Sequence, residues 1–153
     1  MQNIHIRKAT PDDLFILLQF EQDLITTERP FDPTLKQPPI AYYNLPEMIS
    51  SPHIELVVAE DNGAIIACGY ARIETAKSYL QHRQHAYMGF MYTLPAYRGK
   101  GINKTIIDTL KNWSAAQGMT ELRLEVYHDN APAIKAYEKA GFILHKTEMR
   151  MPL

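Results

Sequence analysis

Residues 86–113, AYMGFMYTLPAYRGKGINKTIIDTLKNW, constrain the fold more than any other stretch of the chain. They open on an apolar and aromatic run, residues 87–93, of the kind that fills a buried strand. Pro95 ends that strand, because proline cannot donate to a ladder and fixes its own φ. Gly99 and Gly101 mark a short loop. Ile102, Ile106, Ile107, Leu110 and Trp113 then recur at helical spacing, so one apolar stripe of a helix faces a core.

The charges at the loop–helix junction run against the usual rule. The unpaired N–H groups of a helix start carry partial positive charge and attract acids. Here the junction carries Arg98, Lys100 and Lys104, and no acid precedes Asp108. An empty helix gains nothing from this arrangement. An anion held by backbone N–H groups that glycine leaves unobstructed would explain it; the alternative is a basic surface loop that happens to precede a helix. The same chain shows the ordinary pattern at Thr10-Pro11-Asp12-Asp13, with a capping threonine, proline in the first turn and two acids. Leu14, Leu17, Leu18, Leu24 and Ile25 form the expected inner face of the helix that follows.

The chain has 153 residues, 46% of them hydrophobic, enough for one domain over residues 1–153 with one sizeable core. Its 16 basic and 17 acidic residues give a net charge of −1, so no global field recruits nucleic acid or an acidic membrane. Cys68 is the single cysteine, which excludes an internal disulfide and a multi-cysteine zinc site. It lies in an apolar run and reads as a small core residue. With no apolar leader and no run approaching a membrane span, a cytoplasmic setting is expected.

The remaining elements follow from local signals. Residues 3–8 alternate as a short strand. Residues 26–45 carry Pro30, Pro33, Pro38 and Pro39 with Phe31, Tyr42 and Tyr43, a long irregular loop that reads as the wall or lid of a pocket. Residues 46–50 form a brief helical turn. Strands over 54–60 and 64–74 join across Asp61-Asn62-Gly63, a hairpin signal. His82 and His85 lack a cysteine or carboxylate at ligand spacing and read as solvated loop histidines, so no metal is expected. Residues 121–127 alternate as a strand, Asn130 caps a second crossover helix, and Ala133, Ile134, Tyr137 and Ala140 share one side of it. Residues 142–153 read as a last strand. Strands alternating with helices give an α/β domain with a mixed sheet.

The order strand, Pro-x-Tyr-Arg-Gly-Lys-Gly-Ile, helix, strand, Asn-x-x-Ala, Tyr-x-x-x-Gly-Phe resembles the GNAT superfamily of N-acetyltransferases over residues 86–142. The resemblance implies a mostly antiparallel central sheet flanked by helices, with a splayed pair of parallel strands that holds CoA. The family's Arg/Gln-x-x-Gly-x-Gly/Ala loop is matched by Arg98, Gly99, Lys100, Gly101, Ile102 and Asn103, with Asn103 standing where glycine or alanine is usual. By resemblance this loop and Lys104 hold the pyrophosphate of acetyl-CoA. The backbone of Met91, Tyr92 and Thr93 pairs with the pantetheine arm, and Asn130 touches it.

The same resemblance names the chemistry. An alkylamine is mostly protonated at neutral pH and must lose a proton before it attacks a thioester. Glu125, twelve residues before Tyr137, matches the Glu and Tyr pair of ribosomal-protein N-terminal acetyltransferases and becomes the candidate base, with Tyr137 the acid for the departing thiolate. Glu74, Tyr92 and His128 are reserve bases, and a backbone N–H near Tyr92 or Thr93 meets the oxyanion. Tyr42, Tyr43, Tyr79 and Tyr92 suggest an aromatic-lined pocket for the acceptor, a small-molecule amine or a peptide N-terminus. A CoA-binding sensor without turnover is the competing reading. By the same resemblance, either residues 142–153 close the sheet as one long strand or a partner subunit completes it as a homodimer, since an open edge invites pairing.

Overall fold

The computed structural model describes residues 3–153. In chain order the elements are β1 (Ile4–Lys8), a 3-10 turn (Pro11–Asp13), α1 (Leu14–Glu28), α2 (Leu45–Ser50), β2 (Ile54–Asp61), β3 (Ala64–Thr75), β4 (Gln84–Thr93), α3 (Ile102–Ala116), β5 (Leu122–Arg123) and α4 (Ala131–Lys139). They build one five-stranded sheet in the order β1-β2-β3-β4-β5. The first four strands are antiparallel neighbours, and β4 and β5 run parallel. This is the mixed, mostly antiparallel sheet that the sequence implied.

Both faces of the sheet are covered. Leu17 and Phe20 of α1 pack with Leu56, Val58, Tyr70 and Phe90 on one side. Ile102, Ile106, Ile107 and Leu110 of α3 pack with Val57, Ala59, Ile66 and Met88 on the other. Double coverage is why β2 and β3 read as nearly continuous apolar runs. Cys68 is fully buried within β3. The β2–β3 hairpin turns on Asn62 and Gly63, both at positive φ. The buried stripe of α1 centres on Leu17, Phe20, Glu21 and Ile25, which leaves Leu18, expected inside, exposed at its edge.

Three expectations need correction. A strand splayed from its neighbour was expected over residues 121–127, yet regular strand structure is confined to Leu122–Arg123, paired with Ala86 and Tyr87 of β4. Residues 142–153 form no strand; their alternating pattern is present, but no neighbouring strand supplies a ladder, and strand structure needs a partner. His85 is not a solvated loop residue. It sits buried on β4, with its ring 3.1 Å from that of His82 and 3.5 Å from Glu74.

The long irregular loop is shorter than expected, since α1 persists to Glu28 and a 3-10 turn covers Arg29–Phe31. Its return leg is pinned to α1. The buried Glu21 carboxylate accepts the backbone N–H groups of Tyr42 (2.9 Å) and Tyr43 (2.8 Å), and Gln22 donates to the Ile40 carbonyl. Charge-assisted bonds of this kind are among the stronger ones available to a loop. Tyr42 and Tyr43 are thereby fixed against the sheet.

Candidate active site

Beyond Tyr87 and Arg123 the parallel strands separate. A bulge in β4 produces the bend: Cys68 pairs with Tyr92 and Tyr70 with Gly89, so Gly69 alone faces both Phe90 and Met91. Phe90 takes φ 52°, a strained value for an aromatic residue. Gly69 makes room for the bulge, since a Cβ there would lie 2.5 Å from the Met91 sulfur. The result is a V-shaped cleft. The backbone of Met91, Tyr92 and Thr93 forms one wall and residues 124–127 the other.

The start of α3 lies just past the end of β4. Gly101 caps the helix at φ 81° and Gly99 takes φ 76°, so both glycines occupy the left-handed region that side chains disfavour. The N–H groups of Ile102, Asn103 and Lys104 have no carbonyl one turn earlier to receive them. Acids are absent from this first turn. Arg98 is braced by its Nε donating to the Thr93 carbonyl (2.9 Å), with its guanidinium over the Tyr92 ring. Lys100 extends over Tyr97, while Lys104 forms an exposed ion pair with Asp108 at 2.7 Å. The loop therefore offers oriented N–H groups and the free cationic ends of Arg98 and Lys100, a donor set that fits a diphosphate.

The α1 side of the cleft is lined with tyrosines and acids. Tyr43 packs on Tyr70 (5.8 Å) and Phe90 (4.8 Å), and Phe31 stacks on Tyr127 (6.1 Å). The Tyr127 hydroxyl donates to Asp32 at 2.8 Å. Glu125 lies two residues beyond β5, and its charge adds to burial in holding the Tyr87 phenol above its ordinary range, while burial and the Asp32 bond do the same for Tyr127. Burial pushes Tyr137 up to about 12, with the charge of Glu28 adding to the effect. Burial also raises the Glu28 carboxyl above the ordinary glutamate range, with the charge of Asp32 contributing. The Tyr42 hydroxyl faces Glu28 and is sealed from solvent without a well-formed hydrogen bond.

Not every residue singled out in the sequence meets here. Asn130 caps α4, its side chain accepting from the Ala133 N–H at 3.3 Å. Tyr92 turns into the core of α1, 4.9 Å from Phe20, with its hydroxyl toward Asp23. Tyr79 is exposed on the β3–β4 loop, and His128 is exposed beyond β5. Glu74 is bonded to Arg72, whose guanidinium lies over Tyr70 and Tyr87. The pocket aromatics are thus Tyr42, Tyr43, Tyr70, Tyr87 and Tyr127. Sequence reasoning missed the last three and Glu28. Glu28 did leave a signal: an acid in the last turn of a helix opposes the dipole, as the cations at the start of α3 do.

A mixed sheet that opens beside a basic, acid-free helix start is the architecture of the coenzyme A-dependent acetyltransferases. Residues 18–142 match the model of the Acetyltransferase (GNAT) family, and the chain belongs to that family. It is 27% identical over 96 residues to an IAA acetyltransferase of Azospirillum brasilense, a match that covers 63% of this chain and 59% of that protein. A variant of the BH1408 protein of Bacillus halodurans has the same fold, with a TM-score of 0.88 at 19% identity over 97% of this chain and 99% of the other. So does a predicted acetyltransferase of Clostridium acetobutylicum solved with acetyl-CoA, with a TM-score of 0.75 at 20% identity over 97% and 96%. Among the described residues no helix is long and apolar enough to cross a membrane.

Proposed function

We propose that this chain moves the acetyl group of acetyl-CoA to the nitrogen of a primary amine, on a small molecule or a peptide N-terminus. The observation that carries the reading is the acid-free start of α3, with Arg98 and Lys100 free-ended beside it, opening onto the cleft between β4 and β5. Ile102, Asn103 and Lys104 offer N–H groups to the pyrophosphate, with Gly99 and Gly101 keeping the approach clear. The β4 backbone from Met91 to Thr93, unpaired on the side of β5, pairs with the pantetheine arm.

Glu125 takes the proton of the acceptor ammonium through water, and the freed lone pair forms the N–C bond. A backbone N–H at Tyr92 or Thr93 faces the carbonyl oxygen as it gains charge. As the C–S bond breaks, the Tyr137 hydroxyl gives its proton to the sulfur. With its pKa near 12, Tyr137 keeps that proton at neutral pH until a strongly basic thiolate develops. Glu28 and the surrounding tyrosines favour an acceptor that joins a cationic group to an apolar part.

The test pairs calorimetric titration of CoA with thiol release from acetyl-CoA across an amine panel. Saturable binding and amine-dependent release, with acetylated nitrogen found by mass spectrometry, are expected. Binding with no release on any amine would favour the sensor, and no binding at all would remove the reading.

A further inference from the structure

A cation lies over the aromatic wall of the cleft. Tyr70, Arg72 and Glu74 of β3 share one face of the sheet with Tyr87 and His85, the β4 partners of Arg72 and Glu74. The Arg72 guanidinium lies 5.0 Å from the centre of the Tyr87 ring and 5.7 Å from that of Tyr70. Burial raises both phenols, and the charges of Glu74 and Glu125 add to the effect. Arg72 and Glu125 therefore act on the same two rings.

The guanidinium is gripped on one edge and open on the other. Its Nε and Nη2 both meet the Glu74 Oε1 at 2.7 Å, and among the described residues no acid meets Nη1 or the outer N–H of Nη2. Behind Glu74 stands a brace. Its second oxygen lies 3.5 Å from Nε2 of the buried His85, whose Nδ1 lies 3.1 Å from Nε2 of His82. An ion pair between strand neighbours contributes little and needs no such support, whereas burying an imidazole costs desolvation. The cost makes sense where the orientation of the guanidinium matters. A planar fork held in one orientation is a receptor for a carboxylate.

We propose that Arg72 selects the acceptor by its carboxylate, and that the acceptor is a free α-amino acid with an apolar side chain. Its carboxylate lies on the open edge of Arg72, its ammonium toward Glu125 and its side chain among the tyrosines. This rests on the acetyl-transfer reading of the cleft. An α-carboxylate stands one carbon from the nitrogen, which suits a cation and a base that act on the same rings. A peptide N-terminus has an amide carbonyl at that place and leaves the guanidinium without a counter-ion. His85 is a positioning residue that acts through Glu74. The transfer itself is unchanged. The α-ammonium gives one proton to Glu125, which releases it to water, and the nitrogen bonds the acetyl carbon. The second proton lost by nitrogen replaces, through solvent, the one that Tyr137 gives to the departing sulfur.

The test compares phenylalanine, leucine and methionine, each beside its α-carboxamide and the amine left when the carboxylate is removed. Each is titrated calorimetrically into CoA-loaded protein and assayed for thiol release from acetyl-CoA. Each amino acid should bind more tightly than both counterparts, with kcat/KM higher by about tenfold or more, the worth of one charged hydrogen-bonded pair. The carboxamide has the more readily deprotonated nitrogen, so a lower rate on it does not come from protonation. Arg72→Gln should erase the preference while CoA titrates as in the wild type. Arg72→Lys, which keeps the charge without the fork, should restore only part of it. His85→Phe should raise KM for the amino acids and not for the amines; an equal rise in both overturns its positioning role. A counterpart used as well as its amino acid, or a preference that survives Arg72→Gln, overturns the proposal and leaves acetyl transfer standing. Thiol release with other amines but with none of these amino acids does the same. Release with no acceptor at all overturns the acetyl-transfer reading, and this proposal with it.

Discussion

Gly101→Ala isolates the N-terminal cradle of α3 with little side effect. Gly101 caps the helix at φ 81°, and a Cβ built there meets nothing within 4 Å. The substitution therefore costs backbone strain alone, roughly 1–2 kcal/mol for an L-residue in the left-handed region. In a chain of this size that lowers the Tm by about 2–8 °C. Relief of the strain rotates the peptide that feeds the first turn and re-aims N–H groups proposed to hold the pyrophosphate. One misdirected bond to a charged group is worth about 1.5–3 kcal/mol, or on the order of 10- to 100-fold in affinity. Gly118→Ala is the matched control: φ is 84°, open space again surrounds the Cβ, and the site lies at the far end of the same helix. Both variants should lose similar stability in thermal unfolding, while only Gly101→Ala weakens CoA in calorimetric titration. Equal CoA affinity in the two variants refutes the cradle, whatever the melting curves show.

Tyr137→Phe should retain CoA affinity and lower turnover by about tenfold or more, checked by steady-state thiol release; an unchanged kcat removes Tyr137 from the mechanism. Glu28→Gln should stabilise the fold at neutral pH while weakening a cationic acceptor. The folded carboxyl is raised, so its ionisation as pH climbs costs stability, and the variant and wild type should converge below the ordinary glutamate pKa in urea melts read against pH. Asp13 behaves in the opposite sense. The Arg7 guanidinium, bonded at 2.8 and 2.9 Å, holds the buried Asp13 carboxyl below its ordinary range. Its contribution is present above about pH 4 and is lost as acid titrates it, so Asp13→Asn should be destabilised at pH 7 and lose that deficit at low pH.

The parts of this fold legible in the sequence are those fixed by neighbours in the chain. Asn62-Gly63 names its own turn, Asn130 its own cap, and the 86–113 stretch its own strand, loop and helix. Features set by distant partners were not legible. Strand alternation from Tyr87 alone would turn Tyr92 toward α3. The bulge at Phe90 shifts the parity by one, so Phe90 and Tyr92 join the α1 face and Met91 takes the other. No local signal announces that bulge. The aromatic wall escaped for the same reason, since Tyr42, Tyr70, Tyr87 and Tyr127 come from four segments and meet only after the sheet forms. Residues 142–153 carry a strand pattern that the fold of one chain leaves unused, because a pattern specifies which side chains share a face and not which strand lies alongside.

Two helix ends that border the cleft carry a charge that opposes the helix dipole. Cations crowd the start of α3, and Glu28 closes α1. Each placement costs stability on its own, by repulsion from the dipole in the first case and by burial of a carboxyl in the second. Asp13 and Glu47 stand in the first turns of their helical segments, while the last turn of α4 carries both Glu138 and Lys139. Unfavourable charge at two points flanking one cleft suits ligands of the opposite sign, which would offset those costs. The sign at each end states which: an anion against α3 and a cation against the end of α1. In the proposed reaction the anion is the pyrophosphate of acetyl-CoA, which serves only to anchor the cosubstrate, and the cation is the acceptor ammonium, which must lose a proton before its nitrogen attacks the thioester.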